Sequence, residues 1–358
     1  MTRRHEDTKG NWRPDIPQRI LITGAGLDPA DPKAGSTGEK DGRSMRWFVA
    51  RCGVAIACAL ATVAPATLAA QETAETRYDS SVVAVRGNGA TTFVLLSGMV
   101  GGVSGFRRLA SLLEADNRVV IIDPYRLAAD SADVTFAALA RYVDTVLGEL
   151  GVDSARVVGH AHGTGVALRL AANSPGRVSA LYLLDGGAVD ENRTALFASS
   201  LKWASFISKF PGGRNYVRGR FIKGIKQNAG RHDWLDSTTV REYTDPVLNQ
   251  LSKAISLAKR LDHAREPESN VAVVERVKVP VTVLLGDVPH PAEPDSSEIA
   301  ALASLGDRVR IERLPGVGHF PHEESPADVA AYLLVGTVAS EWRSQGPTPP
   351  RGRVLPPK

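Results

Sequence analysis

The sequence predicts an α/β protein with a mostly parallel sheet, helices on both faces of the sheet and a helical cap. From about residue 80, short β-rich runs alternate with amphipathic helical stretches, which is the sequence form of a parallel sheet covered by helices. The alternation stops at residues 190–277, where a long helical segment replaces the short connection expected between two strands. A chain of 358 residues, 43% of them hydrophobic, is long enough for one such domain with an insertion.

One helix and six strands of the predicted core, residues 80–189 and 278–342, can be assigned individually. In the helix, Phe136, Leu139, Val143 and Leu147 recur at spacings of three and four, and Gly151 ends the pattern. The strand runs are rich in β-branched and aliphatic residues. They are predicted at residues 92–96, 118–122, 156–158, 180–184, 281–285 and 309–314.

Residues 45–70 are typical of an export signal. A basic head at Met45 is followed by an apolar run of about 13 residues from Cys52 to Ala64 and then by small residues. The run is shorter than the roughly 20 residues of a spanning helix, although residues 47–70 could serve as an uncleaved anchor. We therefore expect a periplasmic or secreted protein. A buried core helix is the alternative.

The two ends of the chain are expected to lie outside the fold. Residues 1–44 are polar and rich in glycine and proline, so they are either disordered or upstream of a true start at Met45. Residues 343–358 are proline-rich and lack apolar residues, which predicts a disordered tail. Both cysteines, Cys52 and Cys58, fall in the signal segment, so the folded part has no disulfide and no cysteine metal site.

The basic residues of the chain are concentrated in the cap. The formal net charge of +4 is modest and does not indicate a nucleic-acid partner. A positive lid could attract a small anionic ligand or contact an anionic membrane surface, and a solvated surface is the alternative. We expect the interleaved aromatic and aliphatic residues to form the packing face of the cap. The nine basic residues, with no acidic residue among them, are Arg193, Lys202, Lys209, Arg214, Arg218, Arg220, Lys223, Lys226 and Arg231.

A glycine-flanked turn follows the predicted strand at 156–158 and precedes a helical stretch. It reads Gly159-His160-Ala161-His162-Gly163, which matches the nucleophile elbow G-x-S-x-G except at its central position. The glycines are needed because the turn is strained and packs tightly against its neighbours. Alanine has no atom that can attack a carbonyl, so a covalent intermediate at Ala161 is excluded.

This elbow resembles that of the α/β-hydrolase superfamily, and the resemblance extends over about residues 80–340. The segment from Gly159 to Asp185 is similar to the elbow, the following helix and the next strand of that family. Residues 316–324, Gly-Val-Gly-His-Phe-Pro-His-Glu-Glu, resemble the loop that carries the catalytic histidine. The order and separation of the two motifs imply the fold, while the fold alone does not specify the chemistry.

The resemblance assigns His319 as the general base and leaves the acid open. The family usually places an aspartate three residues after the glycine that ends the next-to-last strand, here Gly286, but Pro289 occupies that position. Asp287 is one substitute. Asp185, at the end of the preceding strand, is the other, since some members carry the acid there.

The resemblance also implies an oxyanion hole made by backbone N–H groups. Ser97-Gly98 stands where the family has His-Gly after its third strand. Met99 would then supply one N–H donor and His162 the other, and backbone donors survive most side-chain changes.

Several functions remain open at this point. The nominal activity is hydrolysis of a small ester or amide, but without a serine the protein is either a degenerate hydrolase or an enzyme in which His319 acts without a covalent step. A nucleophile relocated to Ser97 or Thr164 is a further alternative. A protein of a different class, a non-catalytic ligand-binding or interaction protein on the same fold, is the last.

We expect neither a cofactor nor a metal ion. His160 and His162 flank a sharp turn and therefore point apart, and the sequence places no third ligand near them. A structural role is the simpler interpretation for both histidines.

Overall fold

The computed structural model describes residues 77–189 and 195–335, without the side chains of residues 195–199. The predicted signal segment, both predicted terminal extensions and Arg193 lie outside these ranges. No helix of the described residues is long and apolar enough to cross a membrane.

The described residues contain a seven-stranded sheet in the order β1-β3-β2-β4-β5-β6-β7. Neighbouring strands are parallel except for β1 and β3, which are antiparallel. All six predicted strands are present, so the predicted fold class is confirmed. The strands are β1 (Val83–Arg86), β2 (Thr91–Leu96), β3 (Asn117–Ile122), β4 (Ala155–His160), β5 (Val178–Leu184), β6 (Val281–Gly286) and β7 (Val309–Leu314).

Helices flank the sheet on both faces and fill the segment between β5 and β6. The predicted helix at 136–150 is α3, which Thr135 caps by accepting a hydrogen bond from the Ala138 N–H. The helices are α1 (Arg107–Leu113), α2 (Pro124–Leu127), α3 (Phe136–Glu149), α4 (Gly163–Asn173), α5 (Ala195–Ile207), α6 (Gly213–Asn228), α7 (Ser237–Asn249), α8 (Leu251–His263), α9 (Asn270–Arg276), α10 (Ser296–Ala303), α11 (Pro321–Glu324) and α12 (Pro326–Val335).

The core consists of one apolar layer on each face of the sheet. On one face, Phe136 and Leu139 of α3 and Val166 of α4 pack against the strands. On the other, Leu109 of α1 and Leu333 of α12 do so. Because both faces are covered, the central strands are continuous apolar runs rather than alternating ones, which explains why they could be recognised. All four residues from Phe93 to Leu96 are fully buried.

The cap helices α5 to α8 are held by smaller apolar clusters. Ala204, Val217 and Leu248 form one of them, contributed by three different helices. The expected packing face is partly wrong: Leu201 is buried, but Trp203, Phe206 and Phe210 are among the most exposed large hydrophobic residues described. Aliphatic residues of both small and large size, such as Ala204 and Leu248, form the contacts between these helices instead.

Candidate active site

The elbow at the end of β4 has the backbone of a strained turn. Ala161 has φ 51°, a left-handed conformation that costs an alanine about 1–2 kcal/mol. A Cβ on Gly159 would lie 2.6 Å from the Gly163 carbonyl oxygen, and a Cβ on Gly163 would lie 2.6 Å from that of Leu96. Both approaches are shorter than van der Waals contact, so glycine is required at each position. The turn thus retains its tight geometry without a serine.

Neither alternative hydroxyl is arranged as a nucleophile. The Thr164 hydroxyl lies 2.6 Å from the Ala161 carbonyl oxygen and 3.0 Å from that of Gly187, so its one proton is engaged by backbone acceptors. The Ser97 hydroxyl is buried and has no hydrogen-bond partner among the described residues, and therefore no base to activate it. Thr164 instead ties the elbow to the segment after β5.

His319 and Asp185 form a close pair at the carboxyl ends of the parallel strands. His319 Nδ1 lies 2.7 Å from Asp185 Oδ2, and the Gly286 N–H donates to Asp185 Oδ1 at 3.1 Å. Burial alone would raise the pKa of Asp185, but contacts with His290 and His319 outweigh it and hold the pKa below its ordinary value. A buried, ionised carboxylate therefore orients the His319 ring and leaves Nε2 available.

Asp185 itself has φ 44°. Among the described residues, Ala161 and Asp185 are the two non-glycine residues with positive φ, and both lie in this site. Strained backbone persists only where surrounding contacts determine it, and it concentrates at functional positions.

The other candidate acid, Asp287, lies elsewhere. Its Oδ1 accepts a hydrogen bond of 2.6 Å from the Gly316 N–H, and the residue is exposed. Asp287 thus fastens the start of the loop that carries His319, while the carboxylate beside the imidazole is that of Asp185. The loop after β5 turns its aspartate toward His319, whereas the loop after β6 turns its aspartate toward the Gly316 N–H. The sequence does not reveal this difference.

A second histidine, which the sequence analysis did not single out, contacts the same carboxylate. His290 Nε2 lies 3.2 Å from Asp185 Oδ2, and its side chain is 2% exposed. Its position one residue after Pro289, in the loop where the family resemblance places the acid, was the available signal. Contacts with His290 and His319 together lower the pKa of Asp185.

Asp185, His290 and His319 each place one ligand atom within 4.8 Å of the others, so this set could hold a metal ion. The 2.7 Å between His319 and Asp185 is, however, a hydrogen-bond distance. Two ligands of a tetrahedral zinc ion are separated by about 3.3 Å, since each lies about 2.0 Å from the metal. The observed spacing matches a hydrogen-bonded pair better than a preformed zinc site.

Two buried histidines support the His319 loop. His160 Nε2 lies 2.8 Å from the His319 carbonyl oxygen, which requires a proton on that nitrogen. Burial and the nearby His319 lower the pKa of His160 to about 3, so its ring is neutral. The His322 ring centroid is 4.2 Å from that of His160, and burial likewise lowers its pKa. His160 is therefore a hydrogen-bonded structural residue.

A cavity of about 310 Å³ opens beside these residues. Ala161, His162, Asp185 and His319 line it, together with the acidic residues Glu293, Asp295 and Glu298, and no lysine or arginine of the described chain does so. Met99 lines a separate cavity of about 330 Å³. Gly98 is close to the elbow, since a Cβ there would lie 3.3 Å from that of Ala161.

The basic cap residues do not surround this cavity. Arg214 donates to the Leu248 carbonyl oxygen, Arg218 pairs with Asp245, and Arg231 donates to the Pro315 carbonyl oxygen. They stabilise the cap and its contact with the His319 loop. We expected the basic cap to attract an anionic ligand to the pocket. None of the described basic side chains of the cap lines the cavity.

Comparisons with known proteins agree with this architecture. The model of the alpha/beta hydrolase family matches residues 93–332. The sn-1-specific diacylglycerol lipase of Mus musculus is 23% identical over 251 residues, which are 66% of this chain and 77% of the lipase. A 2-hydroxy-6-oxononadienedioate/2-hydroxy-6-oxononatrienedioate hydrolase of Pseudomonas sp is 30% identical over 118 residues, 30% of this chain and 41% of that hydrolase. The structure of a bacterial membrane phospholipase A matches with a TM-score of 0.56 and 18% identity, over 81% of this chain and 97% of that chain.

Proposed function

Since the chain belongs to the alpha/beta hydrolase family, we propose that it hydrolyses a small ester or amide by direct attack of water, with His319 as general base. The observation that carries the proposal is the 2.7 Å contact between His319 and Asp185 beside an elbow that lacks a nucleophile. A base held by an ionised carboxylate can take a proton from water, as it can from a serine hydroxyl.

The reaction balances without a covalent intermediate. The oxygen of a water molecule bonds to the carbonyl carbon while Nε2 of His319 takes the water proton. The backbone N–H of His162, which lines the same cavity as Ala161 and His319, is the proposed donor to the oxyanion. The N–H of Met99 is the proposed second donor because Met99 follows Gly98, which lies against Ala161, although Met99 itself lines the other cavity. The C–O or C–N bond then breaks, and the departing alcohol or amine takes the proton from the imidazolium. The methyl of Ala161 leaves room for the attacking oxygen beside His319.

Two observations support retained chemistry rather than decay. Asp185 has a left-handed backbone and holds its buried carboxylate 2.7 Å from His319, and strain of this kind concentrates at functional positions. The related sequences include a lipase and a hydrolase, so hydrolysis is the reaction class favoured.

Assays of four proteins against a panel of short-chain esters and amides test the proposal. We expect weak hydrolysis by the parent and a loss of about 10²- to 10⁴-fold on His319→Ala. Asp185→Asn should cause a comparable loss, because it misorients the imidazole. Asp287→Asn is the matched control. It should retain activity, because the Asn side-chain oxygen can still accept the hydrogen bond from the Gly316 N–H and the side chain makes no hydrogen bond with His319.

An Ala161→Ser variant separates the proposal from its alternative. If the serine restores a covalent route, activity should rise by about 10²-fold or more. If the parent shows no turnover while Ala161→Ser is active, the native protein is a ligand-binding member of the family and the proposal is wrong. Activity in the parent that survives His319→Ala contradicts the assigned base.

We further propose that the chain is exported through residues 45–70, on the basis of the basic head, the apolar run and the small residues that follow. N-terminal sequencing of the protein recovered from the periplasm or medium measures this. A new N-terminus near residue 70 is expected from cleavage, an intact segment in the membrane fraction indicates an anchor, and retention in the cytoplasm contradicts export.

A further inference from the structure

Four large aromatic side chains on the cap are more than half exposed. Trp203 and Phe206 on α5 are each 59% exposed, while Phe210, in the following turn, and Tyr216 on α6 are each 53% exposed. The Phe206 and Phe210 rings contact each other edge to face with their centroids 5.3 Å apart. Half of the exposed large hydrophobic residues described thus fall within 14 consecutive positions, from 203 to 216. Scattered exposure needs no explanation, but a cluster of this kind indicates an interaction site.

Basic side chains accompany these aromatic residues. Tyr216, Arg220 and Lys223 follow one another at spacings of four and three residues, so they share one face of α6. The basic residues of this region that are exposed and whose side chains make neither an ion pair nor a hydrogen bond with any described residue are Lys202, Lys209, Arg220, Lys223 and Lys226. We call these five residues and the four aromatic residues the aromatic–basic surface.

The arrangement is unsuited to a small anion. The five basic residues are solvent-exposed, and they line neither of the two cavities described above. A bound phosphate or carboxylate is normally held by convergent donors in a concave site. Dispersed positive charge interleaved with aromatic rings instead complements an extended, negatively charged surface with an apolar layer beneath it.

We propose that the aromatic–basic surface docks the protein on a membrane containing anionic phospholipids. Tryptophan, tyrosine and phenylalanine partition to the boundary between headgroups and acyl chains, where an apolar ring and a wet environment are both satisfied. Lysine and arginine side chains are attracted to the negative surface potential of anionic lipids. This proposal does not depend on whether His319 is catalytic.

Sedimentation of the full chain with phospholipid vesicles tests the proposal. We expect binding to vesicles of phosphatidylcholine with phosphatidylserine, weaker binding at high salt, and little binding to phosphatidylcholine alone. Reversing two charges, in Arg220→Glu with Lys223→Glu, should weaken binding about tenfold or more. Replacing two rings, in Phe206→Ser with Phe210→Ser, should weaken it similarly at constant net charge.

A matched charge control is Lys259→Glu with Lys278→Glu, two exposed lysines outside the aromatic–basic surface. It should retain vesicle binding, and unchanged melting temperatures verify that every variant is folded. The same full chain is used throughout, so any contribution of residues 45–70 is constant. Binding that survives both surface variants, or that falls equally in the control, overturns the proposal. A dimer in solution that the ring variant dissociates, without vesicle binding by the parent, also overturns it and identifies a second copy as the partner.

Discussion

Glycines in the elbow and glycines in the cap occupy opposite environments. Around Gly159 and Gly163 the nearest backbone atoms would lie within 3 Å of an added Cβ, whereas around Gly219 and Gly224 of α6 no atom lies within 4 Å. Backbone contacts therefore crowd the elbow at both of its glycines, whereas these two glycines of the cap helix face open space. The difference teaches why the turn accepts alanine at its centre: the neighbouring backbone, and not the side chain at position 161, sets the shape of the elbow.

The largest effect should come from crowding the elbow. Gly159→Ala places a methyl 2.6 Å from the Gly163 carbonyl oxygen, so we expect a loss of about 2–3 kcal/mol in the free energy of unfolding. Urea denaturation measures it. The matched variant in the cap, Gly219→Ala, adds the same methyl to open space in a helix and should stabilise by about 0.5–1 kcal/mol. Equal destabilisation by the two variants would contradict the contrast between the regions.

A smaller, pH-dependent effect on stability is expected at the contact between the cap and the segment that follows His319. Glu323, in the loop after His319, accepts a hydrogen bond of 3.2 Å from the Tyr243 hydroxyl of the cap, and its Oε2 lies 3.3 Å from Arg108 Nε of α1. Burial outweighs both partners and raises the pKa of Glu323 from 4.5 to about 8. The folded protein then binds a proton that the unfolded chain releases between those values, so this contribution to stability declines as pH rises from 4.5 to 8.

Glu323→Gln cannot titrate and should remove that part of the pH dependence. The measurement is the free energy of unfolding of parent and variant across the same pH range, with exposed Glu275→Gln as the control. The stability of the parent relative to the Gln variant should fall with rising pH. A relative gain would show instead that the Arg108 pair keeps Glu323 ionised in the fold.

The sequence was sufficient for the fold and for part of the site. The central strands were predictable because both faces of the sheet are covered and these strands are mostly apolar. Strand β7 is different, since it carries Arg310, Glu312 and Arg313 and is only partly buried. The strand β1 was missed because its four residues, Val83–Arg86, form a short edge strand that, among the described strands, pairs with β3 alone. The elbow glycines and the His319 loop were recognisable because local sterics and a short motif specify them.

The partner of His319 could not be chosen from the sequence for a physical reason. Asp185 and Asp287 both follow the end of a strand. Which of them reaches His319 depends on the path of the loop after each strand, and no local sequence pattern specifies that path. The role of His290 was signalled only by its place in the loop after Gly286, since it depends on a contact with Asp185 across more than 100 positions of sequence. The exposure of the cap aromatics likewise depended on which aliphatic residues formed the contacts between the helices.

The crowded frame of the elbow has a consequence for the history of the gene. Alanine and serine codons can differ by a single base, and the backbone at Ala161 already has the conformation that a nucleophilic serine needs. A serine at position 161 is therefore one base change away, and the turn would not have to be rebuilt to hold it. A lineage carrying this protein holds the covalent mechanism within reach of a point mutation for as long as the glycines persist.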